Sequence, residues 1–286
     1  MGKIIRRGFQ KHPAAWAVFY FMWVLSLFII LGSLNPRSLT AGVILRFALG
    51  AGILYGLYKV FRWTPKALGF STKGLFTALR LYWIEWLKMA AFLSVLIVSL
   101  HPQYAQVLHI NTPPATLAKI ARNLRQMTAA KKTAVCAFSL SVGFYEEIFM
   151  RVGMVSQLRL AFPDSPRSAW RIALISGALF ASLHWINLGA QSLSLTAMQV
   201  IQAFGTGVLW GAIYWRSGNM VVPIVGHTLN DVLILLATAG SSPAVSASFQ
   251  STLTVMAVDL FLTAVYLRPK KAVSSGIQTP LCYNKK

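Results

Sequence analysis

Two adjacent glutamates, Glu146 and Glu147, lie in an apolar stretch of a chain that has only six acidic residues among 286. Arg151 follows Glu147 by four positions, and two later apolar stretches carry one histidine each, His184 and His227. Ionisable side chains inside a membrane are costly, and they usually face the bundle interior or a water-filled cavity. A carboxylate that activates water and imidazoles that bind or move protons are the groups of a hydrolytic site.

The two glutamates are expected to have different roles. On a helix, Glu147 and Arg151 are four residues apart, so their side chains meet on one face. Glu146 points about 100° away from Glu147, and it can therefore face a different cavity. We predict that Arg151 holds Glu147 while Glu146 is free to act as a general base. The same residues also fit an acidic cluster that faces a cytoplasmic loop and catalyses nothing.

Each histidine has both a packing and a chemical interpretation. No other ionisable residue follows Arg171 in the stretch that contains His184, and a single histidine on an apolar helix is often a hydrogen-bonded packing residue. His227 is followed at the third and fourth positions by Asn230 and Asp231, which share its helix face. Either neighbour could orient the ring or point with it into one site.

The composition is that of a membrane protein. The chain is 56% hydrophobic and only 12% charged, whereas ordinary soluble domains are about 25% charged. Stretches of about 20 apolar residues recur, and each is long enough to cross a hydrocarbon core of about 30 Å. We predict an all-α polytopic integral membrane protein with about eight transmembrane helices and an intramembrane active site. The predicted spans are 14–34, 40–61, 79–100, 133–158, 170–188, 195–215, 220–238 and 249–267.

The chain divides into three predicted regions. Residues 1–132 hold three transmembrane helices and a basic amphipathic segment, residues 133–238 hold the catalytic helices, and residues 239–286 hold the last transmembrane helix and a short basic tail. Residues 133–162 contain no proline, so one continuous helix is expected with Glu146 near its middle. Within the first region, apolar residues recur at helical spacing over 115–130, which predicts an amphipathic interfacial helix.

The net charge of +21 is explained by membrane topology. Lysines and arginines mostly flank the apolar spans, where cytoplasmic loops gather positive charge and contact anionic lipid. We therefore expect membrane lipid as a partner and no nucleic acid. We also expect a bacterial inner membrane, with both termini in the cytoplasm.

Gly52-x-x-x-Gly56 and Gly207-x-x-x-Gly211 are interpreted as faces of close helix packing.

The motifs together resemble those of the CPBP intramembrane proteases, which include the CAAX prenyl endopeptidases and bacteriocin-immunity proteins. The family motifs Glu-Glu-x-x-x-Arg, Phe-x-x-x-His and His-x-x-x-Asn/Asp are matched in order by Glu146, Glu147 and Arg151, by Phe180 and His184, and by His227 and Asp231. Each motif is short and recurs by chance, but the ordered set on separate predicted spans is specific. The resemblance covers about residues 133–238.

This resemblance implies an intramembrane endopeptidase that hydrolyses a peptide bond of a membrane-associated protein or peptide, with a prenylated protein as one option. In that interpretation, Glu146 and His184 activate a water molecule that attacks the scissile carbonyl. His227 and its partner stabilise the oxyanion, which is usually the larger electrostatic contribution. Glu147 and Arg151 hold their helix in place.

Asp231 departs from the family pattern, because many members have asparagine there. An ionised aspartate cannot donate a hydrogen bond to an oxyanion. Asp231 would therefore either fix the tautomer of His227 or be protonated, and Asn230 could donate instead. Which of the two is the working partner of His227 stays open at this point.

Other functions use similar residues. Zinc could be held by Glu146, His184 and His227, but the chain has no His-Glu-x-x-His helix, and we favour a glutamic mechanism with no cofactor. A proton-coupled transporter also needs intramembrane acids and histidines, yet no internal repeat of the kind found in transporters is visible. A non-catalytic membrane scaffold or immunity protein could keep the fold and lack hydrolysis.

Overall fold

The computed structural model describes residues 11–33, 39–104, 106–107, 114–162, 165–238 and 249–268. The described residues form helices and no β-strand. In chain order the α-helices are α1 (Pro13–Ser33), α2 (Leu39–Phe61), α3 (Leu75–Leu81), α4 (Trp83–Leu100), α5 (Pro114–Gln126), α6 (Ala129–Glu147), α7 (Ser156–Ala161), α8 (Pro166–Leu183), α9 (Leu193–Ser217), α10 (Val221–Ala237) and α11 (Phe249–Tyr266). A π-helical segment, Ile148–Val155, joins α6 to α7, and the 3₁₀ segment His184–Gly189 follows α8.

The predicted all-helical membrane fold is confirmed. Six helical stretches of the described chain are long and apolar enough to cross a membrane, namely Leu39–Phe61, Trp83–Leu100, Ala129–Ala161, Pro166–Gly189, Leu193–Ser217 and Phe249–Tyr266. Two shorter apolar stretches, Pro13–Leu27 and Val221–Ala237, coincide with the remaining two predicted spans. The total of eight transmembrane helices stays a prediction.

The distribution of side chains is inverted relative to a soluble protein. Large apolar side chains such as Ile44 and Phe261 are exposed, as expected for residues that contact lipid tails of equal apolarity. Glu147, Arg151 and Asp259 are fully buried. The bundle therefore encloses these three charged groups.

Glycines let the central helices approach closely. α6 packs along α10, and α8 packs along α9. A Cβ on Gly143 of α6 would lie 2.7 Å from Thr228 Oγ1 and 3.0 Å from Thr228 N of α10. A Cβ on Gly177 of α8 would lie 2.8 Å from Val208 N of α9. The first contact brings together the motif segments of α6 and α10, and the second packs the motif helix α8 on α9.

The expected continuous helix over residues 133–162 is present as one helical stretch, Ala129–Ala161, but its middle is π-helical. α6 ends at Glu147, a π-helix covers Ile148–Val155, and α-helical geometry resumes at Ser156. A π-turn places the hydrogen-bonded partner five residues away instead of four, and such segments are frequent at functional sites. All eight π-helical residues, including Arg151, are buried. The change of helix type therefore starts directly after the glutamate pair.

The predicted amphipathic helix is confirmed as α5. Ala121 and Leu124 are buried while Arg122 and Arg125 are exposed. The apolar face packs against the C-terminal ends of α4 and α10. Its placement at the membrane interface and its side of the membrane stay predictions.

One of the two predicted glycine faces is confirmed. A Cβ on Gly207 would lie 3.1 Å from Gly177 Cα, and one on Gly211 would lie 3.1 Å from Ser176 Oγ. The interpretation of Gly52 and Gly56 as a packing face is wrong for the described residues, because a Cβ on either would meet no atom within 4 Å. Both line an apolar groove between α1 and α2 instead.

The boundaries at 132 and 238 stay predictions, and the basic tail predicted at the end of the chain lies largely outside the described residues.

Candidate active site

Glu147 is the shared centre of two buried contacts. Its Oε1 lies 3.0 Å from Arg151 Nη1 in an ion pair, and it accepts a hydrogen bond of 2.9 Å from His227 Nδ1. All three residues are buried. The predicted pairing of Glu147 with Arg151 is present. The bond to His227 was not predicted, and it ties α6 to α10 through a single carboxylate.

Glu146 is placed differently from its neighbour. Its side chain is 19% exposed, and its Oε2 lies 3.8 Å from His227 Nε2. Asp231 Oδ2 lies 3.7 Å from the same nitrogen, with the side chain 23% exposed. Both separations exceed a direct hydrogen bond. One nitrogen of His227 is therefore bound by a buried glutamate, while the other faces two partly exposed carboxylates.

The ring of Phe180 is in contact with three of the site residues. The Arg151 guanidinium lies 4.7 Å from the ring centroid, which is within the range of a cation–π interaction. The rings of His184 and His227 stand nearly perpendicular to Phe180, at centroid distances of 5.0 and 6.2 Å. Phe180 therefore separates the two histidines and supports Arg151 from α8.

Trp210 completes this arrangement from α9, and sequence reasoning missed it. Its ring lies 5.1 Å from the His227 ring, and the Arg151 guanidinium lies 5.3 Å from its centroid. Arg151 is thus in contact with two aromatic rings. The nearest sequence signal is the Gly207–Gly211 face, which indicates close packing of α9 but does not single out Trp210.

His184 lies where α8 gives way to the 3₁₀ segment. Its Nδ1 is 3.0 Å from the Phe180 carbonyl oxygen. A carbonyl only accepts hydrogen bonds, so Nδ1 is the donor, and in a neutral ring Nε2 is then the acceptor. Among the described residues, no hydrogen bond joins His184 to Glu146. The aid that His184 was expected to give to Glu146 stays a prediction.

Residues 130–233 match the family model of the type II CAAX prenyl endopeptidases, Rce1-like. This segment, about a third of the chain, is similar to that family, and we call it the Rce1-like segment. It contains the three motifs and the residues that meet at Phe180 and His227. The resemblance inferred from the motifs is therefore confirmed, and it supports a CAAX-type membrane protease with a membrane-associated protein substrate. Comparisons with curated proteins and with solved structures gave no significant match.

Within the Rce1-like segment, Asp231 and Asn230 do not reach the nitrogen of His227 that Glu147 binds. Asp231 faces Nε2, whereas Nδ1 is bound by Glu147 of α6. The residues of α10 that were expected to orient the ring therefore do not bind Nδ1. Asn230 is half-buried beside Asp231 and forms no hydrogen bond with His227 in the described chain. The working partner on α10 stays a prediction.

The zinc alternative requires Glu146, His184 and His227 to converge. In the part of the chain that the structure describes, no three His, Cys, Asp or Glu residues are arranged to hold a metal ion. A neutral His184 would offer Nε2 to a metal, and His227, which binds Glu147 through Nδ1, would also offer Nε2. Whether the reaction needs a metal is decided by experiment.

Proposed function

We propose that this protein is an intramembrane endopeptidase in which Glu146 activates water to hydrolyse a peptide bond of a membrane-associated protein or peptide. The observation that carries the proposal is the unequal use of the adjacent glutamates. Glu147 is fully buried and engaged by Arg151 and His227, whereas Glu146 is partly exposed beside the same histidine. The match of residues 130–233 supports the reaction class.

Glu146 takes the proton of the attacking water. A general base must reach that water and must not be consumed by another strong partner. Glu146 meets both conditions, since its nearest ionic partner is 3.8 Å away. The water oxygen bonds to the scissile carbonyl carbon as Glu146 takes its proton. The C–N bond then breaks, and the proton passes to the leaving amine.

His227 stabilises the oxyanion that forms in this step. Nδ1 donates to Glu147, and a protonated ring also donates from Nε2. Trp210 and Phe180 hold the ring on two sides, so the donor is oriented before the reaction. Preorganised donors of this kind are often the largest single contribution to catalysis.

His184 assists the proton transfers from the other side of Phe180. The Phe180 carbonyl fixes its proton on Nδ1, which leaves Nε2 able to accept a proton. Such a base can take this proton from Glu146 and give it to the leaving amine. Glu147 and Arg151 act as positioning residues, since they hold α6 and the His227 ring.

The substrate is proposed from the family description. The matched family model is named for prenylated CAAX substrates, so a farnesylated peptide with a C-terminal CAAX sequence is the first substrate to test. A membrane-anchored protein or peptide without a prenyl group is the second. Both deliver a peptide bond to a site enclosed by apolar helices.

The test compares wild type, Glu146→Gln and His184→Ala in detergent and in vesicles, with and without a chelator. Glu85→Gln is the matched control, because Glu85 is also a buried glutamate of an apolar helix but is not one of the motif residues. We expect Glu146→Gln to lower kcat/KM by about 10²–10⁴-fold, and His184→Ala also to lose cleavage. Glu85→Gln retains cleavage, and the chelator has no effect.

Two results would overturn parts of this proposal. Loss of cleavage with chelator and its return with zinc would replace the glutamic mechanism with a metal mechanism. Equal behaviour of wild type and Glu146→Gln on every substrate would mean that the motifs are structural, as in a scaffold or immunity protein. Unfolding midpoints of all variants separate a catalytic loss from misfolding.

A further inference from the structure

An amphipathic cavity, lined by none of the motif residues, lies between α5 and the C-terminal end of α4. Its volume is about 530 Å³, within the range of pockets that take drug-sized ligands. Its lining includes the polar side chains of Arg122, Arg125 and Gln126. It also includes the apolar side chains of Leu117 and Ala121. A ligand for this cavity therefore needs a polar part and an apolar part.

The charge around the cavity selects an anion. The 60 residues between Glu85 and Glu146 contain no acidic residue, and they contain six basic ones, Lys88, Lys119, Arg122, Arg125, Lys131 and Lys132. Arg122 and Arg125 form no ion pair with any described residue. Arg125 donates one hydrogen bond, of 3.3 Å, to the Leu100 carbonyl oxygen. Two guanidinium groups thus lack a counter-charge within the described protein.

The position of α5 matches the headgroup region of a membrane. Leu124 packs with Leu96 and Ala237, near the C-terminal ends of the apolar helices α4 and α10. Asn123 Nδ2 donates a 2.8 Å hydrogen bond to the Ala237 carbonyl oxygen, which fixes α5 across these ends. A basic amphipathic helix at the ends of spans lies where lipid phosphates are found.

We propose that this cavity binds an anionic phospholipid. Arg122 and Arg125 contact the headgroup phosphate, and Leu117 and Ala121 contact the first part of the acyl chains. The apolar lining residues Leu117 and Ala121 favour a phospholipid over free phosphate, because free phosphate has no apolar part. The site does not depend on the proposed peptidase activity, because its residues lie outside the Rce1-like segment.

The test measures lipid binding to the full chain in phosphatidylcholine nanodiscs or micelles. Phosphatidylglycerol is titrated and the bound lipid is counted by native mass spectrometry. The variants are Arg122→Gln/Arg125→Gln and, as a control, Lys131→Gln/Lys132→Gln, which removes two exposed charges from α6 outside the cavity. We expect wild type to prefer phosphatidylglycerol, and the arginine variant to lose about tenfold or more of this preference. The control should keep it.

Three outcomes would overturn the proposal. Equal loss in both double variants would indicate a diffuse basic surface with no defined site. Equal binding of phosphatidylglycerol and phosphatidylcholine by wild type would exclude anion selectivity. Displacement of the lipid by inorganic phosphate at the same concentration would indicate a small-anion site. If loss of the Arg125–Leu100 bond unfolds the double variant, Arg122→Gln alone gives the measurement, since Arg122 is exposed.

Discussion

Two ionic clusters lie inside the same helical bundle, and they differ in whether every carboxylate has a close partner. In the first, Lys88 Nζ lies 2.9 Å from Glu85 Oε1 and 2.8 Å from Asp259 Oδ1. Thr206 donates to the other oxygen of Asp259 at 3.2 Å. This lysine cluster joins α4, α9 and α11, and each of its carboxylates has a close partner.

The second cluster surrounds His227. Glu147 is bound by His227 and paired with Arg151, but Glu146 and Asp231 both lie more than 3.5 Å from their nearest ionic partner. Three carboxylates thus share one arginine and one histidine. The motif cluster therefore contains two carboxylates without a close ionic partner.

This difference indicates which cluster is built for chemistry. Charged groups inside a membrane are costly, and a set in which every carboxylate has a close partner is sufficiently explained by helix packing. Glu146 and Asp231 are partly exposed beside the fixed ring of His227. Such a set adds no comparable stability to the bundle, and this supports the proposed reaction. The two clusters use five of the six acidic residues of the chain, and the sixth, Asp164, lies outside the described residues.

The largest expected effect is on stability and comes from the lysine cluster. Lys88→Met leaves Glu85 and Asp259 without their cation, and breaking a buried pair costs about 3–5 kcal/mol. We expect the lower end, because the Lys88 side chain is 31% exposed. The unfolding midpoint in detergent measures this loss, and specific activity of the folded fraction should stay unchanged. Lys88→Met/Asp259→Asn should recover part of the stability. Lost activity in the folded fraction would remove the distinction between the clusters.

A smaller effect, this time on activity, is expected at Glu147. Glu147→Gln removes the charge that holds His227 Nδ1 and pairs with Arg151. Loss of such an orienting partner typically lowers activity about 10–100-fold. Steady-state kinetics should show the loss mainly in kcat, since the ring is misoriented and substrate contacts remain. Glu85→Gln is the matched control. Equal kcat losses in both variants would contradict the assignment of roles.

Trp210 tests the boundary between the two clusters. It contacts the ring of His227 and the guanidinium of Arg151, and it belongs to the same apolar group as Tyr82 and Met89 near the lysine cluster. Trp210→Phe keeps an aromatic ring but shortens it, and a lost cation–π contact is worth about 1 kcal/mol. We expect about a fivefold fall in kcat with the KM of the substrate preserved. A change in KM alone would indicate that Trp210 contacts substrate instead.

The smallest effect is expected at Asp231. Asp231→Asn removes a negative charge from the site, and an amide can donate to an oxyanion where an ionised carboxylate cannot. Cleavage should therefore stay within about threefold of wild type or rise. Asp231→Ala removes both the charge and the donor, and it provides the comparison. Loss of cleavage in Asp231→Asn as severe as in Glu146→Gln would make Asp231 a second essential acid.

Local features of this protein could be read from the sequence. The apolar spans, the amphipathic helix at α5 and the Glu147–Arg151 pair depend on residues within a few positions of each other. Helical periodicity and bilayer thickness determine such features. The family resemblance is carried by short motifs within single helices, and it was therefore visible without any knowledge of how the helices pack.

Only the tertiary structure decided which groups meet. The bond between Glu147 and His227 joins positions 80 residues apart, and it requires α6 and α10 to touch at Gly143 and Thr228. The Lys88–Asp259 pair spans 171 residues. The π-helix after Glu147 has no clear local signal, and Trp210 reaches the site only because α9 packs on α8. Helical periodicity predicts which face of its own helix a side chain occupies. Which neighbouring helix packs against that face depends on the packing of the whole bundle.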